Sequence, residues 1–321
     1  MSEFLREQGT PSMGDFLEYR PYRGRLRGPM SAVFAIARTS LGLLFRRKLF
    51  WGLYLLGLII FFLYFFGQYL LVWAGSQDSG QAIRVGPFAR IPRKEMIDGL
   101  RNMLKMDGSP GMFHNFLQTQ GSIVMVIFAL AGAQLVGNDF RFRSFPFYFS
   151  KPIGILHYLL GKGLAAAVLL NMLTTIPALI LFFQAWFLGD WSWSEGKFRL
   201  FVSILGYGAI LTWGLVPLLL ASSAGLTRTI PIAMFWIFSF LFLHGVAEGL
   251  VDRLGYPANW KALDLWNDIC QVGSRILGVV VEAKNAPKQP DFSLVLGIVL
   301  TIPILSFIYL KIRLSRVEVL R

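Results

Sequence analysis

From Leu49 to Trp73 the chain runs for 25 residues without one charged side chain. Wound as a helix at 1.5 Å per residue, such a stretch covers roughly 37 Å, against about 30 Å for the hydrocarbon core of a bilayer. Five further apolar runs follow: Gly121–Gly137, Gly163–Gly189, Leu200–Ala221, Thr229–Ala247 and Phe292–Leu310. Together they predict an all-α, polytopic membrane protein with six transmembrane helices. Composition agrees: 55% of residues are hydrophobic and only 15% charged, where soluble domains carry roughly a quarter charged. Pro177, Pro217, Pro231 and Pro303 fall inside or at the start of runs, which is tolerated where neighbouring helices satisfy the freed carbonyls.

Charge sets an orientation. With these spans, residues 1–48, 138–162, 222–228 and 311–321 share one side and hold 18 Lys/Arg against 6 Asp/Glu. The other side is nearly balanced. The basic side is expected to be cytoplasmic, with both termini there, in the cytoplasmic (inner) membrane of the cell. The net charge of +13 is thus assigned to membrane topology, and no nucleic-acid partner is expected. One cysteine, Cys270, excludes an intramolecular disulfide framework and a Cys-rich metal site. The first thirty residues are polar and basic, so no cleavable signal peptide is expected.

Residues 1–30, with Arg20, Arg23, Arg25 and Arg27 among Pro and Gly, read as a flexible basic arm. Residues 31–321 then form a single transmembrane domain. Ser31–Lys48 places Val33, Ala37, Leu41, Leu44 and Phe45 near one helical face, with Arg38, Thr39, Gly42 and Arg46 on another. That pattern predicts a helix lying in the interface, joined to the first span through Arg46, Arg47 and Lys48. A plain extension of the first span is the alternative. Two loops, 74–120 and 248–291, face outward. A short amphipathic helix is expected at Lys94–Met106, and Trp260–Val281 is expected to fold back over the membrane surface.

The most distinctive stretch is LVGNDFRFRSFPFYFSKPIGILHYLLGKGLAAA, residues 135–167. A basic, aromatic loop leads through Lys151 and Pro152 into a short helix at Ile153–Leu160, Pro being well suited to a first helical turn. This stretch resembles the signature of type-2 permeases of ABC transporters: an acidic residue, basic residues, a small pair, a basic–Pro pair and a closing Tyr-Leu-Leu-Gly-Lys. Asp139, Arg141, Arg143, Lys151, Pro152 and Tyr158–Lys162 occupy matching positions, Gly161 included. The chain departs from the pattern at the small pair, where Ser144 precedes Phe145.

The resemblance implies a permease subunit, working with a second copy or a related permease, and an exporter. It implies that the 138–162 loop holds a coupling helix on which a separate ATPase subunit docks. The N-terminal helix, with Arg38, Arg46, Arg47 and Lys48, would be the interfacial elbow beside it. ATP and Mg would be bound by that partner and no cofactor or metal by this chain. Read without the family, a basic and aromatic loop suits a partner groove, and an ordinary positive-inside loop with an interfacial aromatic belt is the alternative.

The search for chemistry agrees. Gly161–Lys162 lacks the upstream glycine of a P-loop. No zinc-protease HExxH occurs, and Ser222–Ser223 have no evident His partner. His244 and Glu248 stand four residues apart near the outer end of the fifth span, the one place an intramembrane enzyme is conceivable. A membrane scaffold, or a permease-like subunit coupled to a process other than transport, is the remaining alternative. Spans carry almost no ionisable residue, which favours an external energy source over ion coupling. Ala129, Ala133 and Gly137 form a small-residue stripe on the second span, for packing within the subunit or against a second one.

Overall fold

The computed structural model describes residues 28–76, 83–85, 89–91, 106–149, 153–188, 194–279 and 288–318. Six helices are long and apolar enough to cross a membrane: Lys48–Trp73, Pro110–Arg141, Ile155–Leu188, Glu195–Leu226, Thr229–Arg253 and Phe292–Ser315. They are numbered here as spans one to six. The chain is a multi-pass membrane protein. Most of the expected basic arm, the expected helix at 94–106, and Lys151 and Pro152 lie outside the described residues.

Spans two, three and four form the centre of the bundle, and their facing sides are closed to solvent and lipid alike. Spans one and five sit at the periphery and present rows of large apolar side chains outward. This division explains the largest difference from the expected bounds. The second helix begins at Pro110 rather than Gly121, although His114, Asn115, Gln118 and Gln120 dilute its first turns. Phe113, Phe116 and Leu117 there are fully buried in protein. A helix surrounded by other helices has no need of uniform apolarity; its polar groups meet neighbours, as Gln120 Nε2 does in donating to the Gly57 carbonyl (2.8 Å).

The third span begins at Ile155, so the short helix expected at 153–160 is its first part. This span bends at Thr174, where φ is −107° and ψ −78°. Pro177, three residues on, supplies the cause: its ring excludes the carbonyl of the residue four before it and its nitrogen has no hydrogen to donate.

The N-terminal helix, Pro29–Phe45, opens with Pro in its first turn, where a missing N–H is harmless. It buries Val33, Ile36, Ala37, Ser40 and Leu44, the three-and-four spacing of one helical face. It is a separate element. Helical winding stops at Arg46 and Arg47 and resumes at Lys48, and Trp51 Nε1 donates to the Phe45 carbonyl across the corner (2.8 Å).

At the opposite end, Ile83–Val85 and Ala89–Ile91 pair antiparallel in a small hairpin that no pattern announced. The helix Leu265–Leu277 is N-capped by Asp264, whose carboxylate accepts the Trp266 N–H (3.0 Å). It is closed by Gly278 at φ +70°, a left-handed position that glycine fills without steric cost. Its apolar face, including Trp266, Ile269 and Gly273, is buried against the second, fourth and sixth spans. The expected fold-back therefore plugs the end of the bundle opposite the basic loop, the end expected from charge to be the outer one and called so below.

Candidate functional site at the basic end of the bundle

The stretch that carries the family resemblance folds around a buried ion pair. Asp139 stands just beyond five residues, Ala133–Gly137, that wind as a π-helix within the second span. Lys162 comes from the second turn of the third span. Their charged atoms, Nζ and Oδ2, lie 2.8 Å apart, and the two side chains are only 3% and 13% exposed. Tyr158, one helical turn before Lys162, donates its hydroxyl to the same carboxylate oxygen (2.7 Å). A buried charge is tolerated only when paired and hydrogen-bonded, and Asp139 is both.

Aromatic rings close the pair off. Phe145 and Tyr148, from the short helix Phe145–Phe149, each meet the Tyr158 ring edge-on, at 5.5 and 5.1 Å between centroids. Phe140 packs on Phe145 at 4.7 Å. Lys162 Nζ also lies 5.7 Å from the Tyr158 ring centre and 6.0 Å from that of Tyr148. Burial, and secondarily the Asp139 charge, push the Tyr148 hydroxyl up to about 12, so it stays protonated. The loop is thereby locked to the ends of two spans.

Of the residues singled out from sequence, the fold separates two groups. Asp139, Tyr158, Gly161 and Lys162 are buried and hold the loop in shape. Arg141 and Arg143 are exposed, as is Phe142 between them, at 67%. Arg143 takes φ +52°, a left-handed conformation that costs a non-glycine residue about 1–2 kcal/mol. It turns the chain so that the Ser144 N–H reaches the Asp139 carbonyl (2.9 Å).

Gly161 is where the N-terminal helix touches. A Cβ added there would stand 2.8 Å from Ile36 Cβ and 3.0 Å from the Val33 carbonyl oxygen. Glycine is thus required by a close helix–helix approach. On the outer side of that helix, Arg38 and Arg46 are exposed, with Arg47 and Lys48 at the corner that follows.

The Ala129–Ala133–Gly137 stripe packs within the subunit, its residues all buried. Gly137 meets the turn between the fourth and fifth spans: a Cβ would lie 2.8 Å from the Thr227 carbonyl oxygen and 3.0 Å from Thr227 Cα. Ser223 joins the same two elements. Its hydroxyl donates to the Gly132 carbonyl (2.6 Å) and accepts from the Gly137 N–H (3.0 Å). π-Helical turns leave backbone groups out of register, and Ser223 satisfies two of them. Ser223 drew notice in the sequence only as a serine without a histidine; a polar residue on the apolar fourth span was the available signal.

At the outer end, His244 and Glu248 do approach, but loosely, with Nε2 and Oε2 3.9 Å apart. The tighter partner is one the sequence did not suggest. His244 Nδ1 lies 2.6 Å from Asp264 Oδ2, tying the fifth span to the cap of the outer helix. Among the described residues, no group of three or more His, Cys, Asp or Glu is arranged to hold a metal ion.

Comparison with protein-family models and with curated proteins returns no match for this chain.

Proposed function

We propose that this chain is the membrane-spanning permease subunit of an ATP-driven ABC transporter. It works as a pair, as an exporter, while a separate ATPase subunit docks beneath residues 138–162. The basic end is then cytoplasmic, the N-terminal helix is the elbow, and the segment around Phe145–Phe149 is the coupling element. No residue of this chain is catalytic.

The observation that carries this reading is the buried Asp139–Lys162–Tyr158 lock. A transporter driven from outside the membrane needs a cytoplasmic foot that transmits displacement to its helices without yielding. The lock joins the 138–149 segment rigidly to two spans while leaving Arg141, Phe142 and Arg143 outward. Arg and Phe there offer charge-paired and apolar contacts to a partner cleft. The absence of any further buried ion pair within the described parts of the spans also favours an energy source elsewhere.

The competing reading, an intramembrane enzyme built on His244 and Glu248, draws less support. His244 is engaged with Asp264, whose other oxygen caps a helix, an arrangement suited to holding elements together.

The decisive experiment is to find a P-loop ATPase among the genes neighbouring this chain and to capture it on the purified protein; a neighbourhood without one counts against the reading. Wild type should retain it, and Arg141→Glu with Arg143→Glu should lose most of it while still eluting as a folded species. Equal capture by both would remove the docking surface from this loop.

A further inference from the structure

Beside the locked loop lies a cavity of about 450 Å³, within the size range of small-molecule sites. It opens where the N-terminal helix turns into the first span, and the second and fifth spans complete its wall. The mouth carries Arg47, Lys48 and Arg141, and the floor is apolar, with Leu53, Ile127 and Leu130. No acidic side chain lines it. Among the described residues, none of the three cations is in an ion pair.

A second observation points the same way. Thr229, the first residue of the fifth span, lines the cavity, and the start of that helix has no side-chain cap. The N–H groups of Thr229 and Ile230 carry the positive end of the helix dipole, which favours an anion, while Pro231 has none to give. Asn138 adds an amide to the same wall. Cations, an open helix N-terminus and an apolar floor describe the two ends of one kind of molecule.

We propose that this cavity seats the phosphate headgroup of an anionic amphiphile, a glycerophospholipid of the leaflet at this end, with its first acyl carbons on the apolar floor. A seated phosphate would bridge Arg47 and Lys48, at the corner after the N-terminal helix, to Arg141 on the second span. Three like charges, two at the corner and one on the second span, repel one another when the cavity is empty, and an anion between them converts that repulsion into a strap. The site belongs to this chain alone, so it does not depend on the transporter reading.

The test is native mass spectrometry of the purified full chain in detergent, titrated with phosphatidylglycerol or with phosphatidylcholine of the same acyl chains. Wild type should retain phosphatidylglycerol preferentially. Neutralising all three cations (Arg47→Gln, Lys48→Gln, Arg141→Gln) should weaken retention on the order of a hundredfold, each cation near a phosphate contributing severalfold. The conservative variant Arg47→Lys with Arg141→Lys should keep most of it. Leu130→Trp, which leaves every charge in place and fills the floor, should also lose it and so covers the case of a misfolded triple variant. Equal retention of the two lipids, or undiminished retention by both the triple variant and Leu130→Trp, would overturn the proposal. Displacement of the lipid by soluble glycerol phosphate would do the same, because it would make this a free-phosphate site. A failure here leaves ATPase capture untouched, and the reverse holds as well.

Discussion

The two ends of the bundle each tie a loop to a span with an ionic contact, yet the two ties are built differently. At the basic end, Asp139 and Lys162 are both withdrawn from water and sealed by Phe145, Tyr148 and Tyr158. At the outer end, Asp264 is buried but His244 is half exposed, at 51%. The first contact leaves neither charge an alternative partner, while the second leaves the imidazole free to exchange Asp264 for water. Rigidity is concentrated at the end proposed to receive force from a motor. The outer end has a second ion pair, Lys261 to Asp252 (2.9 Å), whose carboxylate is also partly open to water, beside the apolar packing of Trp266 and Ile269.

Single substitutions test that contrast most directly. Lys162→Ala strands a buried carboxylate and should cost about 3–5 kcal/mol. His244→Ala should cost about 1 kcal/mol or less, because a half-exposed pair is replaced by water. Thermal unfolding of both variants in the same detergent, followed by size exclusion, compares them side by side. Similar losses would dissolve the distinction between the two ends.

Gly137 probes the joint behind the lock. The atoms that a methyl group would strike belong to the Thr227 backbone, which has no rotamer to change. Thr227 is itself held at φ +53°. Gly137→Ala should therefore destabilise by about 1–3 kcal/mol, and Ala133→Gly on the same stripe by less than that. Should Gly137→Ala unfold like wild type, the turn between the fourth and fifth spans is softer than its packing implies.

A pH dependence is expected at the outer end. Asp268, one turn into the outer helix, is fully buried, and neither carboxylate oxygen has a hydrogen-bond partner. Burial first, and the charge of Asp264 second, push its carboxyl up to about 8. The folded protein thus holds this proton more tightly than the unfolded chain does. The resulting stability is complete below about pH 4 and is lost as pH rises to about 8. Asp268→Asn removes the titration, so its melting temperature should gain on wild type as pH climbs through that window. A constant difference between the two proteins across the window would show that Asp268 has a partner or an open path to water.

Much of this architecture was legible because membrane physics writes itself into local sequence. Uncharged runs marked six spans, and the three-and-four spacing of Val33, Ala37, Leu41 and Leu44 marked the N-terminal helix. Boundaries failed where protein, rather than lipid, surrounds a helix. Residues 110–120 carry polar groups that read as loop, yet they are helical because Phe113, Phe116 and Leu117 are buried among other spans and Gln120 donates to the first. The family-like stretch displayed Asp139, Tyr158 and Lys162 in one segment, but no periodicity showed that they meet or that Arg141 and Arg143 turn away.

What the chain determined by itself is everything that depends on neighbours along the backbone: apolar length, helical faces, the charge asymmetry of the two sides and the amphipathic outer helix. Tertiary structure alone decided the pairings. It brought Lys162 to Asp139, Ser223 to the π-helical turn, Asp264 to His244, and Arg47, Lys48 and Arg141 around one cavity. The reason is physical. Hydrophobic burial is a summed, non-directional quantity that local composition reports. Hydrogen bonds and ion pairs need atoms within about 3 Å of each other, and only the packing of distant helices sets such distances.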